Sequence, residues 1–137
     1  LSNVIRPGRT HYTVATKAVV HGAPCTEDGF VGTAVKKLPA AAGVGLGDAS
    51  IVTVAIGEKF HIERQGERDL PNVNKAGGTF AKGAAVYIDP VDNALTSAHA
   101  GAELKFGRVS EIAGEGRGIP AGSPLMRVNL DAKDGIA

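Results

Sequence analysis

The sequence has one cysteine, Cys25, no tryptophan, and only four phenylalanines and two tyrosines in 137 residues. A single thiol excludes an intramolecular disulfide and suits folding in a reducing compartment. Cys25 is expected to be a small buried or half-buried residue, not a nucleophile. No apolar run approaches the ~20 residues that a membrane-spanning helix needs. Residues 1–10 lack the basic-then-apolar build of a signal peptide, so neither a membrane partner nor export by that route is expected. Charge of one sign is also lacking: 15 Lys and Arg stand against 14 Asp and Glu, a formal net charge of +1. A nucleic-acid binder gathers a basic excess into a patch and offers aromatic stacking platforms. Here Lys36-Lys37 reads as a solvated strand end, and no nucleic-acid partner is expected.

What the chain does have is glycine, 19 residues of it, with 7 prolines. Between them lie short apolar runs, the composition of strands joined by tight turns. The length fits one domain with a core that needs no metal or disulfide. The apolar pattern follows period two. Tyr12-Thr13-Val14-Ala15 alternates, Ala18-Val19-Val20 follows, and His21-Gly22-Ala23-Pro24 reads as a turn. Residues 30–35 form a predicted strand whose Gly32 marks a bulge or a close backbone approach. Residues 39–48 read as an Ala/Gly-rich loop with one helical turn at Ala40-Ala41-Ala42. Residues 51–56 and 60–62 are expected to pair as a hairpin about Gly57-Glu58, with Phe60 and Ile62 facing opposite to His61 and Glu63. Residues 65–78, polar and broken by Pro71, read as a loop. Strands are predicted over 84–88 and 94–96 around an Asp89–Asn93 turn, over 104–112, and over 125–130 with Met126, Val128 and Leu130 on one face. Residues 114–124 are a long turn, and 131–137 a polar, frayed tail. The expected fold class is all-β with minor helical turns: a small antiparallel barrel or sandwich with a flexible N-terminal arm.

Chemical motifs fail on inspection. Gly78 and Gly83 have P-loop spacing, but Ala84 stands where a lysine must reach phosphate. Residues 43–47 and 114–118 are G-x-G-x-G runs without the helix that a dinucleotide fingerprint requires. His61 and Glu63 share a strand face but have no third ligand at metal-binding spacing. Pro24-Cys25 has no second cysteine for a zinc-deaminase site. The serine elbow G-x-S-x-G is absent, and Cys25 with nearby His21 lacks an orienting third group. Asp89 and Asp92 flank a turn, as acidic residues do, without an EF-hand ladder. No catalytic residue, metal or cofactor is assigned.

Several segments, in order, resemble the small capsid decoration (cement) proteins of tailed bacteriophages. Val20-His21-Gly22-Ala23-Pro24-Cys25 is similar to that family's turn into its second strand, and Phe30-Val31-Gly32-Thr33-Ala34 to the strand that follows. Gly57-Glu58-Lys59-Phe60-His61-Ile62 resembles a further strand. Phe80-Ala81-Lys82-Gly83-Ala84-Ala85-Val86-Tyr87 is the most specific match, followed by a turn and the Thr96 return strand. Phe106-Gly107-Arg108-Val109 and Met126-Arg127-Val128-Asn129-Leu130 complete it. The likeness runs from about Val20 to Leu130 and departs at residues 39–48 and 114–124.

The resemblance implies a non-enzymatic protein on the outer surface of a virion, made in the host cytoplasm. Its partners would be the major capsid protein and itself, as a homotrimer. The domain organisation expected is an N-terminal arm with the first strand over 1–19, a β decoration domain over 20–130 and the tail over 131–137. For docking, the arm residues Ser2, Asn3, Val4, Ile5, Arg6 and Pro7 are candidates, able to add as a strand to a capsid sheet edge. Val44 and Leu46 are a second candidate contact. The alternative from another class is a carbohydrate- or ligand-binding β module. An enzyme using Cys25 or His61 comes last.

Overall fold

The computed structural model describes residues 10–35, 53–115 and 118–130. Eleven strands appear there: β1 (Thr10–Val14), β2 (Val19–Val20), β3 (Pro24–Glu27), β4 (Phe30–Val35), β5 (Thr53–Val54), β6 (Lys59–Glu63), β7 (Gly66–Pro71), β8 (Ala85–Ile88), β9 (Leu95–Thr96), β10 (Leu104–Ile112) and β11 (Leu125–Leu130). No helix occurs among the described residues. The strands form a four-stranded sheet, β1-β6-β4-β3, a five-stranded sheet, β7-β11-β10-β8-β9, and the small pair β2-β5. All pairings are antiparallel. Among the described residues no sheet closes into a barrel, so the all-β expectation resolves to its sandwich-like form.

Two apolar clusters hold the sheets. The larger lies on the five-stranded sheet and contains Phe106, Val109, Val86, Ile88, Met126 and Val128, all nearly inaccessible. The smaller joins Phe60 and Ile62 of β6 to Ala34, Cys25, Val19 and Val54. Strand alternation lets β4 serve both. Phe30 and Ala34 face the smaller cluster, and Val31 packs against the larger one. Thr33 Oγ1 accepts a hydrogen bond from Arg68 Nε of β7 at 3.3 Å, and Thr26 Oγ1 of β3 donates to Asn93 Oδ1 at 2.9 Å. These contacts tie the four-stranded sheet to the five-stranded one. A further tie is internal: the buried Glu27 carboxylate accepts the Thr16 amide and hydroxyl, both at 2.8 Å.

Most predicted strands stand where the sequence puts them. Met126, Val128 and Leu130 share the buried face of β11, and Phe60 and Ile62 that of β6. The Asp89–Asn93 turn joins β8 to β9, with the Asn93 amide donating to Asp89 O at 2.8 Å. Gly32 is a close approach: a Cβ there would lie 2.1 Å from Glu63 O. In β10, Phe106 and Val109 are both buried although three residues apart. Register shifts near Gly107 and after Val109 supply the missing residue step.

Three readings need correction. Residues 66–71 are a strand, not a loop, and pair along their whole length with β11. Its charges mark a solvent-facing edge strand, and Pro71 ends it, as edge positions allow. The hairpin expected between 51–56 and 60–62 does not form: β5 pairs with β2, and β6 with β1 and β4. The turn itself exists, with Glu58 N donating to Ala55 O at 3.0 Å and Gly57 at φ +89°. Ala15, however, takes both Glu58 O and Gly57 N, so the chain after β1 fills the place of a hairpin partner. Finally, Pro24 leaves the turn that begins at His21 and opens β3, which forms a hairpin with β4 across Asp28-Gly29. Both turn residues have positive φ, 55° and 79°, the mirror-type turn that fits strand twist. The reading of 39–48, its helical turn, the arm before Thr10 and the tail after Leu130 lie outside the described residues.

Candidate interaction surface

The residues proposed for docking, Ser2, Asn3, Val4, Ile5, Arg6, Pro7, Val44 and Leu46, all lie outside the described residues. The described residues show a different apolar surface. Tyr12 and Val14 of β1 are 47% and 44% exposed, in contrast to His11 and Thr13 on the other face. Tyr12 lies opposite His61 of β6, with ring centroids 4.6 Å apart, and His61 lies opposite Val35 of β4. An aromatic and apolar row therefore crosses three strands, on the face of the four-stranded sheet that also carries Val31 and Thr33, and it reaches solvent at Tyr12. Strand alternation alone puts Tyr12 and Val14 together. Which face would be buried depended on pairings that the sequence did not reveal.

The edges of the two large sheets differ in chemistry. β1 carries no acidic, lysine or arginine residue. On its inner face His11 stacks on Phe30 at 3.8 Å, and Thr13 donates a hydrogen bond to Asp28 Oδ2 at 3.0 Å. The Asp28 side chain is 69% exposed and its Oδ2 lies 3.8 Å from His11 Nε2. The edge strand β7 of the five-stranded sheet is charged at successive positions. Arg68 donates to the Glu63 carboxylate, and Asp69 accepts a two-pronged contact from Arg127 at 2.7 and 3.0 Å. That pairing holds the Asp69 carboxyl below its ordinary range.

Where the two large sheets meet, two open grooves of about 320 and 250 Å³ share Pro24 and Asn93. The second is apolar along Leu70, Val73 and Leu95 and has Lys75 at its rim. The Lys75 ammonium is engaged, 2.8 Å from both Asp89 Oδ2 and Asp92 Oδ2. Its carboxylate partners raise its pKa, and in return it lowers theirs. Lys75 N also donates to Leu95 O at 2.9 Å, so the knot pins the 72–78 loop onto the β8–β9 turn. Asp89 and Asp92 thus brace a turn.

The remaining candidates for chemistry fare as follows. Cys25 is 1% exposed, and burial pushes its thiol up to about 12, with Glu27 adding to the rise. A thiol kept protonated in this way is a poor nucleophile. The Glu63 carboxylate is occupied by Arg68, and the His61 ring lies tilted against Tyr12. Among the described residues no three His, Cys, Asp or Glu side chains gather as a metal site.

Comparison with known proteins gives one finding: a family model described as phage cement protein matches residues 5–121. No curated protein and no solved structure matches the chain.

Proposed function

Because this chain belongs to the phage cement protein family, a structural family of capsid stabilisers, we propose that it binds the outer surface of an assembled phage head and holds the shell together. Its direct partner is the major capsid protein, and it sits on the lattice as a homotrimer after synthesis in the host cytoplasm. The observation that carries this reading is the family match over residues 5–121. A braced all-β scaffold with Tyr12 and Val14 exposed on β1 supports it.

The physics is linkage. A protein that binds assembled lattice and not separated subunits stabilises assembly by mass action. Contacts from several subunits of one oligomer multiply weak single contacts into durable attachment. Ser2, Asn3, Val4, Ile5, Arg6 and Pro7 act as an arm that adds to a capsid sheet edge, where main-chain hydrogen bonds supply affinity. Val44 and Leu46 supply a second, apolar contact.

The test is co-sedimentation of the purified chain with heads that lack it. Binding that raises the temperature of DNA release supports the reading. A chain that stays in the supernatant at every concentration refutes it. Deleting residues 1–7 is expected to weaken binding at least tenfold, and unchanged binding removes the arm from the mechanism.

A further inference from the structure

We infer that β1 is a self-association edge, at which two copies of this chain join antiparallel about a two-fold axis through Tyr12. The inference stands apart from head binding and from three-fold association, since it concerns one strand and a second copy of it.

The backbone points the right way. The Ala15 amide donates to Glu58 O at 2.9 Å, so Ala15 faces β6. Antiparallel alternation then turns His11 and Thr13 toward β6 and the N–H and C=O groups of Thr10, Tyr12 and Val14 toward the open side. No described strand pairs with β1 on that side. The other edges of the two large sheets are guarded: β7 is charged and ends in Pro71, β3 begins with Pro24, and β9 has two residues.

The strand is also complementary to itself. A two-fold axis at Tyr12 sets Tyr12 opposite its own copy, Thr10 opposite Val14, and His11 opposite Thr13. The outward residues then exchange main-chain hydrogen bonds, and no like charges face each other. Thr13 carries the exposed Asp28 carboxylate on its hydroxyl. The crossing that puts the second copy's His11 opposite Thr13 therefore brings an imidazole toward that carboxylate, and symmetry repeats the contact. On the Tyr12 face the two Tyr12–His61 pairs adjoin, extending the apolar row across the junction. A closed, isologous contact of this kind stops at two.

Particle mass in solution, with the full chain, tests this directly. The wild type is expected at twice the mass of a Tyr12→Lys variant, because lysine opposite lysine repels across the axis. Association should weaken at least about tenfold, while Tyr12→Phe keeps the wild-type mass. Photo-oxidation of the wild type should yield a dityrosine bond joining Tyr12 to Tyr12; the chain has only one other tyrosine, Tyr87. Should Tyr12→Lys fail to fold, the cross-link and a Val14→Lys variant carry the test. Equal masses for wild type and Tyr12→Lys, or dityrosine formed only through Tyr87, overturn the inference. So does a Tyr12→Lys chain that keeps its mass but loses head binding, which assigns the edge to the capsid instead.

Discussion

Gly32 and Glu63 lie so close across the β4–β6 pairing that a methyl group on Gly32 would sit 2.1 Å from the Glu63 carbonyl oxygen and 2.7 Å from the Ile62 side chain. The obstacle is backbone in the middle of a sheet and has little room to give. Gly32→Ala is expected to lower stability by about 1–3 kcal/mol or more, the cost of overpacking, read as a shift in denaturant midpoint. A variant with wild-type stability would mean that β4 and β6 separate easily.

Phe60 and Phe106 anchor different clusters, at 2% and 1% exposure. Each Phe→Ala change is expected to cost about 3–5 kcal/mol. Val31 of β4 packs against the larger cluster from the sheet that carries the smaller one. Both variants are therefore expected to unfold in one transition by circular dichroism, and a second transition in Phe60→Ala would show that the clusters melt separately.

Cys25 serves as a reporter of opening. Its buried, protonated thiol should react with an aromatic disulfide reagent in the native state only as fast as the protein opens. The rate is expected to rise by several orders of magnitude in denaturant. Rapid native labelling would place the thiol at the surface. The same burial gives a sign for alkaline pH: a folded pKa raised above the unfolded value favours folding below the unfolded value, and that contribution is lost as pH rises from about 9 toward 12. Cys25→Ala should flatten this alkaline decline.

Acid acts with the opposite sign. Asp69, Asp89 and Asp92 all have carboxyls lowered by their Arg127 and Lys75 partners. Depressed folded values contribute stability above the unfolded carboxylate pKa, near 4, and lose it as pH falls through the folded values. Melting temperature is expected to drop below about pH 4, and the double change Asp89→Asn, Asp92→Asn should blunt that drop at low salt. A wild-type acid limb in the double variant would show the Lys75 knot to be energetically idle.

Much of this was readable in advance where burial imposes alternation. β11, β6 and the β8–β9 unit follow from Met126-x-Val128-x-Leu130, Phe60-x-Ile62 and the Asp89–Asn93 turn. β7 was missed because an edge strand can satisfy its side chains in water and through Arg127 and Glu63, leaving no apolar period to detect. The β3–β4 hairpin has a local signal, Asp28-Gly29 between Glu27 and Phe30. β5 went to the wrong partner because local order cannot show that Ala15, some forty residues upstream, claims the Glu58 carbonyl. Of the interaction surface, the Tyr12 and Val14 pair was visible as alternation. The row through His61 to Val35 was not, since it depends on which strands become neighbours. The arm and the Val44, Leu46 contact rest on residues beyond those described.

The charges along β7 have a consequence for life on a crowded surface. Molecules packed side by side at high density are at risk of fusing sheet to sheet into fibrils. A rim that alternates Glu67, Arg68 and Asp69 and stops at a proline offers a poor template for that growth, so close neighbours can touch without merging.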